Sequence, residues 1–375
     1  MAVVKATINL QALKHNLSQV KKRAPQCKVM SVIKANAYGH GVLPVAKALS
    51  ESDAYAVARF DEALFLRQQE VQKKIVILGG VYSREDFLVC IDQHFEPVLH
   101  TLEQIQCLFD TLQWLGSKGE QKSFDYWLKV DTGMHRLGLS ADELNGLSHQ
   151  YQTLTARFSP SGFMSHFACA DEIDNKLNQV QNLKFLQQYE SFSKVNNSDK
   201  LSLSMANSAA ILSLPDAHYD WLRPGIMLYG VSPFAGRTGK DENLLPVMTL
   251  SSQLIAIKQL KQGDCIGYGA SWCCPKAMTI GVIAIGYGDG YPRHAKAGTP
   301  VLIQGAEVPL VGRVSMDMIT VDLSPLQAQE KTAQVGDNAI LWGDGLPIEY
   351  VSHQADTIAY ELLCQITPRV SFEYK

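Results

Sequence analysis

The chain has 375 residues, more than one ordinary domain needs, and its 46% hydrophobic and 19% charged residues are enough for a sizeable buried core. A formal net charge of −3 without any long basic run speaks against nucleic acid or an anionic membrane as partner. No segment approaches the roughly 20 apolar residues that span a bilayer, and residues 1–23 carry no signal-like apolar stretch, so a soluble, cytoplasmic protein is expected.

From Cys27 to about Gly230 short apolar runs alternate with amphipathic stretches. Strand-like runs fall at residues 28–33, 54–58, 75–78, 97–99, 126–130, 162–167, 201–205 and 226–229, and most of the first seven lead into a helical pattern, as at 61–69, 102–115 and 177–195. Ser83 with Asp86, and Ser140 with Glu143, have the spacing of helix-starting capping boxes. Eight strands alternating with helices predict an α/β fold, a TIM (β/α)8 barrel over residues 1–235. A doubly wound open sheet is the alternative, but it would usually show fewer strands and a glycine-rich first turn.

Beyond Pro233 the texture changes. Residues 247–260, 279–287, 301–303, 318–323 and 338–342 are β-rich, with turns at Gly263-Asp264, Gly288-Asp289-Gly290 and Gly343-Asp344-Gly345. A helical pattern returns only at 350–363. A mainly β-strand C-terminal domain is therefore expected over 236–375, with 236–243 as linker. The eight cysteines form no CxxC pair and no histidine-linked metal spacing, so buried free thiols in a reducing compartment, and no metal site, are expected.

A TIM barrel builds its active site at the C-terminal ends of its strands. The first strand runs into Lys34, where desolvation would lower the amine's pKa and make it nucleophilic. A lone strand-end lysine is more simply a solvent-facing one; its partners argue otherwise. The fifth strand brings Lys129, followed by Asp131-Thr132-Gly133 and Arg136; the sixth brings His166, the seventh Asn207-Ser208, and Arg223-Pro224-Gly225 precedes the eighth. Phosphate sites in barrels commonly use the loops around strands seven and eight, where Ser208 offers a hydroxyl and Gly225 and Ile226 offer backbone N–H groups. A lysine able to form a Schiff base opposite a phosphate site suggests pyridoxal 5'-phosphate.

The segment Val32-Ile33-Lys34-Ala35-Asn36-Ala37-Tyr38-Gly39-His40-Gly41 resembles the cofactor-lysine segment of the alanine racemase family. Trp127-Leu128-Lys129-Val130-Asp131-Thr132-Gly133-Met134 with Arg136-Leu137-Gly138 resembles a second family block. Further blocks are Ser165-His166-Phe167, Ala206-Asn207-Ser208, Arg223-Pro224-Gly225, Gly267-Tyr268-Gly269, Gly312-Arg313-Val314 with Met316-Asp317, and Tyr360-Glu361. They are collinear and span nearly the whole chain. The resemblance implies a barrel with a C-terminal β domain, a homodimer with shared active sites, and interconversion of L- and D-alanine, D-alanine being a peptidoglycan precursor.

It also implies roles. Lys34 carries the cofactor as a Schiff base and is one catalytic base; Tyr268, reaching in from the partner subunit, is the other. Removing a Cα proton from one face and returning one to the opposite face is simplest with two bases. Arg223 faces the pyridine nitrogen, His166 links Arg223 to Tyr268, and Tyr38, Ser208, Gly225, Ile226 and Tyr360 hold the phosphate. Arg136 and the backbone of Met316 receive the substrate carboxylate, and Lys129 matches a lysine that some members carry as a carbamate. Tyr287, between Gly286 and Gly288, has the same local pattern as Tyr268, and only the block over 267–272 separates them. The competing readings are a broader small-amino-acid racemase acting on serine, a decarboxylase of the same cofactor fold, and a pyridoxal-phosphate carrier.

Overall fold

The computed structural model describes residues 3–120, 124–150, 160–196 and 201–375. Eight parallel strands, Lys28–Val32, Ala54–Val57, Lys74–Ile77, Phe95–Leu99, Trp127–Lys129, Gly162–Met164, Ser202–Ser204 and Trp221–Leu222, pair in chain order, and the last pairs back onto the first. Between the seventh and eighth, Asp220 N donates to Leu203 O (3.1 Å) and Arg223 N to Ala206 O (2.9 Å), which closes the ring. Nearly every strand residue is buried. That is why these strands read as continuous apolar runs rather than alternating ones.

The helices begin where the sequence says they should. Ser83 Oγ accepts from Asp86 N (3.1 Å) ahead of the Arg84–Gln93 helix. Ser140 and Glu143 form a reciprocal capping box, Glu143 N to Ser140 Oγ at 3.2 Å and Ser140 N to Glu143 Oε2 at 2.8 Å. The three helices expected at 61–69, 102–115 and 177–195 are Phe60–Gln68, Leu102–Ser117 and Lys176–Asn196.

The eighth strand is a correction. Residues 226–229 were expected as a strand, but the strand is Trp221–Leu222, and Ile226–Tyr229 is a fully buried 3-10 helix. A short apolar run reads the same whether it is a buried strand or a buried helical turn. Here Pro224 O still accepts from Val32 N (3.0 Å), and the chain then turns inward at Gly225.

A second eight-stranded sheet holds, in spatial order, Met278–Ile283, Ile319–Asp322, Ala306–Val311, Pro300–Ile303, Asn338–Trp342, Met248–Leu260, Lys5–Ile8 and Ser371–Tyr374; the first of these also pairs with Met248–Leu260. Lys5–Ile8, though it precedes the barrel in sequence, lies between Met248–Leu260 and the C-terminal strand. The β run at 279–287 is shorter than expected, since Tyr287–Asp289 is a 3-10 turn. The helical pattern at 350–363 is two helices, Ile348–Gln354 and Ala359–Cys364, parted near Asp356, whose φ is +54°.

The cysteines differ from expectation too. Cys265 and Cys273 are joined as a disulfide, and of the six free ones Cys90 and Cys274 are fully buried while Cys364 is exposed. Their eight-residue spacing carries no motif. The pair meets because the chain folds back as a hairpin in which Cys265 faces Cys273. Among the described residues no helix is long and apolar enough to cross a membrane.

Candidate active site

Lys34 lies just beyond the first barrel strand and opens an unusual turn. Ala35, Asn36, Ala37 and Tyr38 all have φ between 51° and 55°, the left-handed region. For L-residues each such placement costs roughly 1–2 kcal/mol, so the surroundings must over-determine it. They do: Ala35 N donates to Glu62 Oε1 (2.6 Å), Val42 N to Asn36 Oδ1 (2.9 Å), Gly39 N to Ala35 O (3.0 Å) and Gly41 N to Asn36 O (3.0 Å). The turn brings the Lys34 and Tyr38 side chains, four residues apart, onto one cavity.

That cavity, about 740 Å³, is lined by Lys34, Tyr38, Lys129, Arg136, His166, Ser208, Arg223, Gly225, Ile226 and Tyr360. Ten of the twelve expected site residues are thus brought together from five barrel strand ends and the C-terminal Ala359–Cys364 helix. Tyr268 and Met316 do not line it. Tyr268 sits at a hairpin tip with 70% of its surface exposed, and Met316 is 52% exposed.

The cavity is cationic. Burial first, then the Arg136 charge, lower the pKa of the Lys34 amine, with Glu62 acting in the opposite sense. Lys129 is pushed down to about 8 by burial and then by Arg223 and Arg136, with Asp131 opposing. His166 is held well below its ordinary range, chiefly by burial and then by Arg223, so it is neutral at pH 7. Its Nδ1 lies 3.2 Å from Arg223 Nη2. A guanidinium only donates, so Nδ1 is the acceptor and the ring proton sits on Nε2. Arg223 is fixed further by donating to Ser204 Oγ (2.6 Å), Ser165 O (2.5 Å) and Met205 O (3.2 Å).

Ser208 opens the Ser208–Ser213 helix, but Asn207 caps it, accepting from Ala210 N (3.0 Å). Ser208 Oγ is therefore free of that duty; it accepts from Gly225 N (2.9 Å) and Met227 N (3.3 Å). A Cβ on Gly225 would lie 2.6 Å from the Tyr38 hydroxyl, so only glycine lets that phenol close over the backbone. Tyr38 stacks on Tyr229 at 4.7 Å, and Tyr229 Oη donates to Val32 O (3.0 Å). Burial raises the pKa of Tyr38 and takes that of Tyr360 to about 12, so both phenols remain donors. A nucleophilic amine facing hydroxyl and N–H donors, with three further basic side chains of which one is the buried Arg223 guanidinium, fits an anionic, ring-bearing carbonyl group such as pyridoxal phosphate.

Three site residues escaped the sequence reading. Glu62 holds the Lys34 turn while its other oxygen accepts from Ala58 N (2.8 Å) and Arg59 N (3.1 Å). Its position three residues into a helix start was the available signal. Asp171 and Cys364 also line the cavity. Neither stands in a pattern that marks it.

Residues 8–233 match the family model described as alanine racemase, N-terminal domain, and residues 247–374 match alanine racemase, C-terminal domain. The chain is 48% identical over 373 residues to an alanine racemase of Aeromonas hydrophila, covering 98% of both chains. Among solved structures it is similar to the biosynthetic alanine racemase of Pseudomonas aeruginosa, with a TM-score of 0.90, 39% identity and full coverage of both chains. It is also similar to the alanine racemase of Bartonella henselae with covalently bound pyridoxal phosphate, with a TM-score of 0.87, 30% identity and full coverage of both.

Proposed function

The chain belongs to the alanine racemase family, and from that premise we propose how its own residues interconvert L- and D-alanine. The carrying observation is the convergence of Lys34 with Tyr38, Ser208, Gly225, Arg223 and Tyr360 on one cationic cavity. Pyridoxal 5'-phosphate, when bound, supplies the carbonyl that Lys34 and the substrate amine take in turn and a ring that acidifies the substrate Cα–H.

Lys34 is the covalent anchor and one catalytic base; its lowered pKa favours the neutral, nucleophilic amine. The Tyr38 and Tyr360 hydroxyls, Ser208 Oγ and the N–H groups of Ile226 and Gly225 would hold the phosphate, with Gly225 N exchanging its bond to Ser208 Oγ for one to the phosphate. Arg223 would face the ring nitrogen, and because it can donate but not take up a proton it would leave that nitrogen unprotonated, which would limit charge delocalisation and disfavour side reactions such as transamination. Neutral His166 accepts from Arg223 through Nδ1, leaving its Nε2–H to bond Tyr268.

Tyr268 is the second base, provided by the partner subunit of a homodimer. Its exposed position outside its own chain's cavity suits that role. Arg136 and the Met316 backbone orient the substrate carboxylate. Lys129, whose pKa near 8 leaves about one amine in ten neutral at pH 7, adds its nitrogen to carbon dioxide with loss of a proton. The resulting carbamate is an anion beside Arg136. The enzyme works in the cytoplasm.

The direct check is D-alanine formation from L-alanine by coupled assay, with absorption spectra of wild type, Lys34→Ala and Tyr268→Phe. Wild type shows the Schiff-base band and activity, Lys34→Ala lacks both, and Tyr268→Phe keeps the band but loses activity by several orders of magnitude. Full activity in Tyr268→Phe would remove Tyr268 from the mechanism, and a Schiff-base band in Lys34→Ala would remove Lys34.

A further inference from the structure

We propose that Cys265 and Cys273 form a redox-responsive clasp across the hairpin that presents Tyr268, so that the thiol–disulfide state of this pair sets how firmly Tyr268 is held for proton transfer. The inference rests on the reading of Tyr268 as the second base.

The hairpin is small. Cys265–Ile266 pairs with Trp272–Cys273 in a separate two-stranded sheet, hydrogen-bonded to neither eight-stranded sheet. Two-stranded hairpins are marginal alone in water, and this one has two residues per strand. Between the strands the backbone is left-handed at Gly267 (φ +71°), Gly269 (+75°) and Ala270 (+45°), and Ala270 N donates to Gly267 O at 3.2 Å. Ile266 and Trp272 pack on Cys274, Met278, Ile280 and Val311, a satellite cluster apart from the main core. Against this slight hold, the Cys265–Cys273 bond closes the tip into a covalent ring around Tyr268. Such a ring removes conformations that an open hairpin samples.

In the single chain both cysteines are exposed, so a reductant reaches the sulfurs whenever the partner subunit does not cover the hairpin. Exposed disulfides are the labile, regulatory kind, and those in a reducing compartment are usually transient or redox-sensing rather than structural. The exchange is with a dithiol. Its thiolate attacks one sulfur of the pair, and the S–S bond breaks as two electrons and two protons pass to Cys265 and Cys273. The dithiol leaves as a disulfide. The reverse exchange restores the clasp.

Thiol titration of the denatured chain, with exchange quenched, assigns the states: six thiols when oxidised, from the six free cysteines, and eight when reduced. Amide hydrogen exchange at residues 266–272 and steady-state kinetics are then measured on the holoenzyme in each state. Reduction is expected to speed exchange at the hairpin several-fold, to leave the Lys34 turn unchanged, and to lower kcat several-fold with a smaller change in KM. Reoxidation reverses both. The double variant Cys265→Ser with Cys273→Ser is expected to match the reduced form in either buffer. Eight thiols after incubation with an oxidised dithiol, or hairpin exchange and kcat indifferent to redox state, would overturn the clasp. Full activity in Tyr268→Phe would overturn the base assignment instead, and hairpin exchange would still report whether the clasp exists.

Discussion

Four cationic side chains, Lys34, Lys129, Arg136 and Arg223, share one cavity, and burial, joined by repulsion from the arginines, makes the two lysines useful. Lys34 is kept nucleophilic by burial and then by Arg136, and Lys129 is lowered by burial and then by Arg223, Arg136 and Lys34. Only a neutral amine adds carbon dioxide, so at constant dissolved carbon dioxide the Lys129 carbamate should diminish as pH falls below about 8. Carbon-13-labelled carbon dioxide followed by NMR checks this. A carbamate signal is expected at pH 8, absent in Lys129→Ala and weaker in Arg136→Met, since that change both raises the Lys129 pKa and removes the counter-ion. No signal at pH 8 would contradict the assignment. At this scale much of the site was legible: Lys34, Lys129, His166 and Ser208 stand at the ends of apolar runs, where barrel chemistry gathers. Glu62 was not, because its partners Ala35 and Ala58 are backbone N–H groups that leave no mark on composition.

Among the elements, the left-handed turn at Ala35–Tyr38 is the most exacting. Gly39, at φ +78°, continues it, and a Cβ there would meet Leu363 O at 2.1 Å, in the helix that carries Tyr360. The strained turn and the Tyr360 helix therefore share a contact that only glycine permits. Gly39→Ala should cost about 3 kcal/mol or more from overlap and left-handed strain, and should weaken cofactor retention by shifting Tyr360. Ala35→Gly relieves strain at φ +53° and, after the entropy penalty of glycine in the unfolded chain, should stabilise by about 0.5 kcal/mol. Denaturant unfolding of both variants measures this; an unperturbed Gly39→Ala would refute the contact. Nothing in Lys34-Ala35-Asn36-Ala37-Tyr38 announces such a turn. Alanine avoids that region, and the conformation is imposed by Glu62, Asn36 and the packing around them. The buried 3-10 helix at Ile226–Tyr229 was hidden for a different reason, since four apolar residues are too few to show a period.

Across the whole molecule, barrel and β domain are knitted at several points. Lys5–Ile8 enters the second sheet before the barrel begins, Asn16 accepts from Leu245 N (2.8 Å), and half-buried Glu349 accepts from Ser232 N (3.0 Å) and Gly239 N (2.9 Å). The eight-strand ladder and the change to β texture were legible from periodicity, whereas Lys5–Ile8 is a four-residue strand whose partners are hundreds of residues away. One arrangement within a single chain stands out: Lys34 lines the cavity and Tyr268 does not. If the two act as opposed bases, each site takes one from each subunit. Lys34→Ala and Tyr268→Phe chains, each inactive alone, should then complement when dissociated and reassembled together. Every mixed dimer holds one doubly altered site and one intact site, so an equal mixture should recover about a quarter of wild-type activity, assuming random pairing. No recovery, with mixed dimers demonstrated by differential tagging, would mean that Lys34 and Tyr268 do not meet across the interface.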